Sequence, residues 1–358
     1  MARILPLHSS HVSAGARLGM RDDAEIVLSF REASREWSSL TESAGVADRS
    51  HRAVLRVTGP EAKLFLHGLV TNQVKAVEAG QGNYTAIINA RGKTLGDGRM
   101  LVVGKEELLL DLEPESREKV LSHLDQLLIS EDCELHDVTD RWAILGVYGP
   151  ESARVVADAL GSAIPSLPLH HHVAVPFEGG EVRVVAAAPA GVAGLDFFVE
   201  RSVVEPLWNR LLGAASRHGG GPIGDEILDA ARIHHAIPRY GAELDESTIP
   251  LEVNLERAIS YTKGCYVGQE VIAKATYRGQ VRRKLVQLRV PHGAAPGASL
   301  LEGEKVAGAL VSVLDPDPAG GGPLALGFVR PDRLELGARL AIEGGGEAEI
   351  SWVPPPRE

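Results

Sequence analysis

Apolar positions along the chain switch between a helical and an alternating period. Ile26, Phe30, Ala33, Trp37 and Leu40 recur at helical spacing, which predicts an amphipathic helix over Asp22–Ser43. Ala53–Val57 reads as a strand. Thr58-Gly59-Pro60-Glu61 then supplies a helix start, with Thr58 as cap, Pro60 in the first turn and Glu61 three residues on, leading into Ala62–Val70. Tyr84–Asn89, Arg99–Val103 and Leu108–Leu112 follow as a strand meander with glycine-bearing turns, and a helix over Pro114–Leu128 closes the unit.

The same order recurs. Ile144–Tyr148 is a strand, Gly149-Pro150-Glu151-Ser152 starts a helix, strands near 173–178, 182–187 and 195–200 follow, and Ser202–His218 is helical. Val57–Ala62 matches Val147–Ser152, and the strand-plus-helix at Leu108 matches that at Leu195 with nearly the same offset. Similar offsets at both ends of the unit indicate duplication, and a pseudo-twofold pair of units leaves a cleft between them, a common place for a small-molecule site. Gly219-Gly220-Gly221-Pro222 breaks the pattern before a helix over Asp225–His235. Beyond Arg282 come short apolar strands, Leu285–Val290, Val306–Leu314, Leu324–Val329, Leu340–Ile342 and Ala348–Val353, separated by Gly and Pro, which predict a small β-barrel or sandwich. The expected class is therefore α+β. A loose leader over 1–20 precedes a first α+β unit over 21–140, a second over 141–280 that carries the signature described below, and a C-terminal β-barrel over 281–358.

Composition narrows the function. With 358 residues, 44% of them hydrophobic, the chain has room for two or three cores. A net charge of -11 opposes broad binding to nucleic acid, although Arg278, Arg282, Arg283 and Lys284 form one basic stretch. No apolar run reaches the roughly eighteen residues of a membrane span and no secretory signal pattern opens the chain, so no membrane partner and a cytoplasmic location are expected. The two cysteines, Cys133 and Cys265, lack disulfide-scaffold or zinc-ribbon spacing. His170-His171-His172 with His234 and His235 could hold a metal only if adjacent side chains converged. A solvated loop is the expected account, and no metal site is assigned.

Reactive and conformationally special residues concentrate in Lys263-Gly264-Cys265-Tyr266-Val267-Gly268-Gln269-Glu270. Gln269–Ala275 reads as a helix in which Glu270 and Lys274 pair at i,i+4. A thiol just ahead of a helix start and beside a lysine has its anion favoured, which suits a nucleophile or soft ligand; a lone cysteine is otherwise a small apolar core residue. The octet resembles the signature of the YgfZ-type folate-binding proteins, relatives of the glycine cleavage T-protein. Asp245–Glu252 upstream and Tyr277-Arg278-Gly279 downstream carry the resemblance further, from about Leu40 to the C-terminus.

The resemblance implies three domains in a ring around a tetrahydrofolate site. It also implies an accessory role in building or repairing iron-sulfur clusters, with assembly or client proteins, tRNA methylthiotransferases among those affected, as partners. Cys265 and Lys263 are then the reactive pair, and Tyr84, Asn89, Asp97, Arg232, His234, Glu252, Tyr266, Gln269, Glu270 and Arg278 the folate-binding set. Two departures stand out. In the family pattern Arg-x-Glu-x-Gly-x-Pro, this chain has Arg232-Ile233-His234-His235-Ala236-Ile237-Pro238, with a histidine where the glutamate is expected to hold the pterin. In the T-protein's Gly-Gly-x-x-Asp-Asp segment it has Gly92-Lys93-Thr94-Leu95-Gly96-Asp97, so only the second acid remains. Loss of the first carboxylate places aminomethyl transfer second and the YgfZ-type role first, with a non-catalytic scaffold as a further alternative.

Overall fold

The computed structural model describes residues 2–278 and 281–355, with only the backbone of Arg278. The chain opens with helix α1 (His8–Ser13), hairpin β1 (Arg17–Arg21) and β2 (Ala24–Ser29), and helix α2 (Ala33–Glu42). The first unit contains β3 (Gly45–Asp48), β4 (Ala53–Thr58), α3 (Ala62–Leu69), β5 (Gly82–Ile88), β6 (Thr94–Gly104), β7 (Glu107–Leu112) and α4 (Arg117–Leu127). After β8 (Glu134–Asp137), the second runs β9 (Trp142–Tyr148), α5 (Ser152–Leu160), β10 (His172–Phe177), β11 (Gly180–Ala187), β12 (Gly194–Glu200), α6 (Val204–Arg217) and β13 (Gly221–Pro222). Helices α7 (Asp225–His234) and α8 (Gln269–Arg278) lead to the barrel strands β14 (Lys284–Arg289), β15 (Ser299–Glu302), β16 (Lys305–Leu314), β17 (Leu324–Val329), β18 (Arg339–Ile342) and β19 (Glu347–Trp352).

The duplication is visible in the sheets, ordered β5-β6-β7-β4-β8 and β10-β11-β12-β9-β3-β13. The shared Gly-Pro-Glu turns do the same work twice. The Gly59 and Gly149 amides donate to Glu106 and Ala193, while the Glu61 and Glu151 amides donate to the carbonyls of Asp132 and Ser43. Both glycines sit at φ near 120°, and a side chain on either would strike those same backbone segments. The units also exchange edges: β3 precedes β4 in the chain but pairs with β9, and β8 precedes β9 but pairs with β4. Division of the chain near residue 140 therefore follows sequence, while the sheets cross it.

Three expectations change. Residues 2–20 are not a loose leader, because Leu5, Leu7 and His11 are buried and His11 Nε2 lies 2.8 Å from Asp48 Oδ2. The helix expected over Asp22–Ser43 is strand β2 followed by the shorter α2: Ala24–Val27 are buried consecutively, Ala24, Ile26 and Val27 as apolar residues and Glu25 as a carboxylate that accepts from the Leu5 amide and contacts His8, and β2 packs against α7. Strand β15, without a long apolar run, was not foreseen and completes the closed barrel β14-β17-β16-β15-β18-β19.

Alternation on the meander explains its two-sided burial. In β7, Leu108, Leu110 and Leu112 pack with the α3 and α4 side chains, while Leu109 joins Val54, Leu101, Ile144, Val185 and Phe198 between the sheets. Asp111 faces the same inter-sheet layer, where it meets Arg52 and Arg99, and Arg99 reaches Asp196 of the other unit at 2.6 Å. Burial alone would raise the Asp111 carboxyl; Arg52, Arg99 and Arg49 outweigh it and hold the group below the usual carboxylate range. The inter-sheet layer is therefore apolar at one end and ionic toward α7.

Candidate functional site

At that ionic end, between the two sheets and α7, lies a cavity of about 310 Å3. Antiparallel pairing sets Tyr84 opposite Arg99 and Asp97 opposite Ala86, so Tyr84 and Asp97 are diagonal neighbours on one face. Tyr84 Oη donates to Asp97 Oδ2 at 2.6 Å. Asp97 Oδ1 is buried without a hydrogen-bond partner at the cavity wall. Burial pushes the Asp97 carboxyl up to about 6, against the Tyr84 bond, which favours the ionised form. An acid with one oxygen held and the other unbonded is suited to taking up or releasing a proton near neutral pH.

Cations surround it. Arg232 pairs with Glu243 at 2.9 Å and Asp229 at 2.6 Å, and Arg239 with Glu115 at 3.0 Å. Arg21 pairs with Asp225. Arg257 lies over the Tyr84 ring at 5.3 Å. His51 and His170 also line the wall, each with an Nδ1 that lacks a hydrogen-bond partner. Burial, aided by Arg99 and Arg257, pulls His170 down to about 3, and burial with Arg21 holds His51 well below its usual value, so both rings are neutral at pH 7.

Of the residues singled out in the sequence, Tyr84, Asp97 and Arg232 line this cavity. The others are placed elsewhere. Asn89 Oδ1 accepts from the Arg91 and Lys93 amides and closes the β5–β6 turn. Glu252 accepts from the Ile249 amide and lies 3.5 Å from Arg283. Tyr266 is buried in the core beneath α8 and the barrel. Gln269 is half-buried at the start of α8, and Glu270, on the surface, pairs with Lys274 as the spacing predicts. The side chain of Arg278 lies outside the described residues. His234 Nε2 contacts Asp317 Oδ1 at 2.8 Å and its ring lies 5.0 Å from Trp37, so it joins α7 to the barrel and does not take the pterin-facing place expected of it.

The signature octet is a structural junction. Lys263 Nζ donates to the carbonyls of His67, Val70 and Asn72 at 2.6, 2.6 and 2.8 Å, satisfying acceptors left open at the end of α3. Burial lowers this ammonium to about 8, and it remains largely protonated at neutral pH. Its charge is committed to those carbonyls, which corrects the pairing with Cys265 read from their proximity in sequence. Gly268 adopts φ 78°, and a Cβ there would meet the Asn89 carbonyl at 2.4 Å, so the octet seats tightly on the β5–β6 turn. Cys265 itself is exposed, four residues ahead of α8.

Sequence reading missed Asp229, Arg239, Tyr240, Arg257, His51 and, as a cavity group, His170. Asp229 and Arg232 at i,i+3 on α7 carried a readable signal. The rest meet only through the tertiary fold.

Two meandering α+β units, a closed barrel and a shared polar cavity define a T-protein-like fold. The glycine cleavage system aminomethyltransferase T of Bartonella henselae superposes with a TM-score of 0.89 over 99% of this chain and 98% of that one, at 21% identity. An aminomethyltransferase of Rubrobacter xylanophilus is 30% identical over 357 residues, 99% of this chain and 92% of that protein. Another from Saccharopolyspora erythraea is 26% identical over 349 residues, 97% and 95% of the two chains. The GCVT N-terminal domain matches residues 7–263, and this chain belongs to that aminomethyltransferase-like family.

Proposed function

We propose that the protein is a tetrahydrofolate-dependent one-carbon transferase of the aminomethyltransferase type, with Asp97 as its proton-transferring group. The observation that carries this is the Asp97 carboxylate, held by Tyr84 on one oxygen and unbonded on the other at the cavity wall. The absent first acid of the family's Asp-Asp pair does not weaken it. Strand alternation turns position 96 away from the cavity, where a Cβ would meet Val120 on α4 at 2.7 Å and Ser116, the residue just before α4, at 2.9 Å. Replacement of that acid by Gly96 removes nothing from the cavity and does not count against aminomethyl transfer.

The residues present fit a folate. The unbonded Asp97 oxygen is an acceptor for donor groups of a pterin, and the cationic wall suits the carboxylates of a glutamate tail. Tetrahydrofolate, when bound, supplies the acceptor for the one-carbon unit. Tyr84 fixes the Asp97 carboxylate, the inter-sheet packing limits water around it, and Asp97 takes the proton from the reacting amine. Incubation with tetrahydrofolate and an aminomethylated lipoyl carrier protein tests this. Methylenetetrahydrofolate, ammonia and the carrier in its dihydrolipoyl (thiol) form should be produced, with the rate cut about 100-fold or more in Asp97→Asn. Folate binding without turnover of this donor would overturn the transfer reading.

Cys265 favours a second reading, the folate-linked accessory role in iron-sulfur cluster assembly implied by the octet, with assembly or client proteins as partners in the cytoplasm. Its support is the exposure of Cys265, which leaves the thiol reachable by another protein. Complementation of a strain lacking a YgfZ-type factor tests it: full rescue by Cys265→Ser removes the thiol from the function.

A further inference from the structure

The second unit reaches the cavity through Leu169, His170 and residues 188–191. His170 stands apart. Its backbone adopts φ 68°, a left-handed conformation that strains any residue with a side chain. Neighbouring segments impose it: the His170 amide donates to the Ala186 carbonyl at 2.9 Å, the Ala186 amide donates to the His171 carbonyl at 2.9 Å, and the His172 amide donates to the carbonyl of Gly80 in the first unit at 2.8 Å. A Cβ on Gly82 would meet the His170 carbonyl at 2.7 Å, so glycine at that position leaves room for the loop. The loop is therefore tied to both units, and it delivers one imidazole to the cavity wall. That ring is half-buried, its centroid lies 5.9 Å from that of Tyr84, and its buried Nδ1 has no hydrogen-bond partner in the protein. Being neutral at pH 7, it offers one nitrogen as donor and the other as acceptor. Tyr84 also holds Asp97, so a carboxylate of the first unit with a free oxygen and an imidazole of the second with a free nitrogen flank one aromatic ring.

We propose that His170 is a ligand-binding residue that hydrogen-bonds the pterin ring of the folate from the second unit, so that the pterin is held across the unit boundary between Asp97 and His170. This rests on the transferase reading and adds a residue to that same site. A flat heteroaromatic ring with donors and acceptors along its edge can meet both groups while lying against Tyr84. The strained, multiply bonded backbone of His170 fixes the imidazole before the ligand arrives, and a group already in place loses less freedom on binding.

Isothermal titration of the full chain with tetrahydrofolate, and with a tetrahydropterin lacking the aminobenzoyl-glutamate tail, tests this in the wild type, His170→Gly, His170→Asn and His171→Gly. Glycine adopts φ 68° without strain, so His170→Gly removes the ring and leaves the loop its conformation. It should bind both ligands at least about fivefold more weakly. Free imidazole, added at about pH 8 where it is neutral, should recover part of the lost affinity. His170→Asn should do the same, because asparagine tolerates positive φ and carries a donor and an acceptor. His171→Gly, outside the cavity lining, should bind as the wild type does. Wild-type affinity in His170→Gly overturns the proposal. So does a loss that neither imidazole nor asparagine relieves, or one that His171→Gly shares, since either makes the loop a support for Tyr84. A loss that falls on tetrahydrofolate and spares the tail-less pterin moves the imidazole to the tail and overturns the assignment to the ring. Failure of the wild-type chain to bind either ligand overturns the transferase reading together with this inference, whereas binding without turnover of the aminomethylated carrier overturns that reading alone.

Discussion

Tyr84 donates a 2.6 Å hydrogen bond to Asp97 across the β5–β6 hairpin, and this contact places the one acid retained from the family's Asp-Asp segment at the cavity wall. The cost of burying that acid can be measured. Burial raises its pKa from 3.8 to about 6, so the folded state holds a proton that the unfolded state has released between those values. Stability contributed by the neutral form is present below pH 3.8 and is lost as pH rises through 6, amounting to about 3 kcal/mol at neutral pH. Asp97→Asn keeps an acceptor for Tyr84 and carries no charge. Its melting temperature should exceed the wild type's at pH 7, and the difference should vanish near pH 4. Equal curves at both pH values would show that the carboxylate is better solvated than the fold indicates.

The same titration shapes activity. With Asp97 as the base of the proposed transfer, turnover should rise from pH 5 toward pH 7 with a midpoint near 6, set by burial and by the influence of Tyr84, Glu113, Arg52 and Arg257. A pH-independent rate over this range removes Asp97 from proton transfer.

Lys263 and Cys265 should separate in a stability measurement. Lys263→Met leaves three buried carbonyls without their donor and should lower stability by about 2–4 kcal/mol in a denaturant titration. Cys265→Ser, at an exposed site, should change it by less than about 0.5 kcal/mol. Similar losses in both would mean that the octet is held by the cysteine as well.

His234→Glu, a change designed from the family pattern, should not create a pterin contact. The new carboxylate would face Asp317, whose side chain is 1% exposed, and two acids there repel. The expected result is a loss of about 1–3 kcal/mol in stability, with tetrahydrofolate affinity unchanged. Tighter folate binding would place position 234 in the cavity.

Much of the architecture was legible because it is local. Period-two runs and glycine turns located every strand of both meanders, and Gly-Pro-Glu disclosed the duplication. What failed was what tertiary context decides. β3 and β8 are four residues each and become strands only by crossing to the opposite unit's sheet. The N-terminal hairpin was missed because its buried run borrows cover from α7. At the site, Tyr84, Asp97 and Arg232 stood in recognisable motifs, whereas Arg257 and His170 have no local signal and meet at Tyr84 through the fold. The octet attracted attention through its residue types, yet Lys263 and Gly268 serve the seating of one segment on another. Proximity in sequence to a cysteine did not predict where a long, flexible lysine finds its acceptors.

In the proposed function, folate binds around Asp97 and not at the octet. Calorimetric titration of tetrahydrofolate into the wild type, Asp97→Ala and Cys265→Ser tests it most directly. The expected result is saturable binding to the wild type, at least about tenfold weaker binding to Asp97→Ala, equivalent to about 1.4 kcal/mol, and wild-type affinity for Cys265→Ser. Wild-type affinity in Asp97→Ala, or a loss confined to Cys265→Ser, would contradict it.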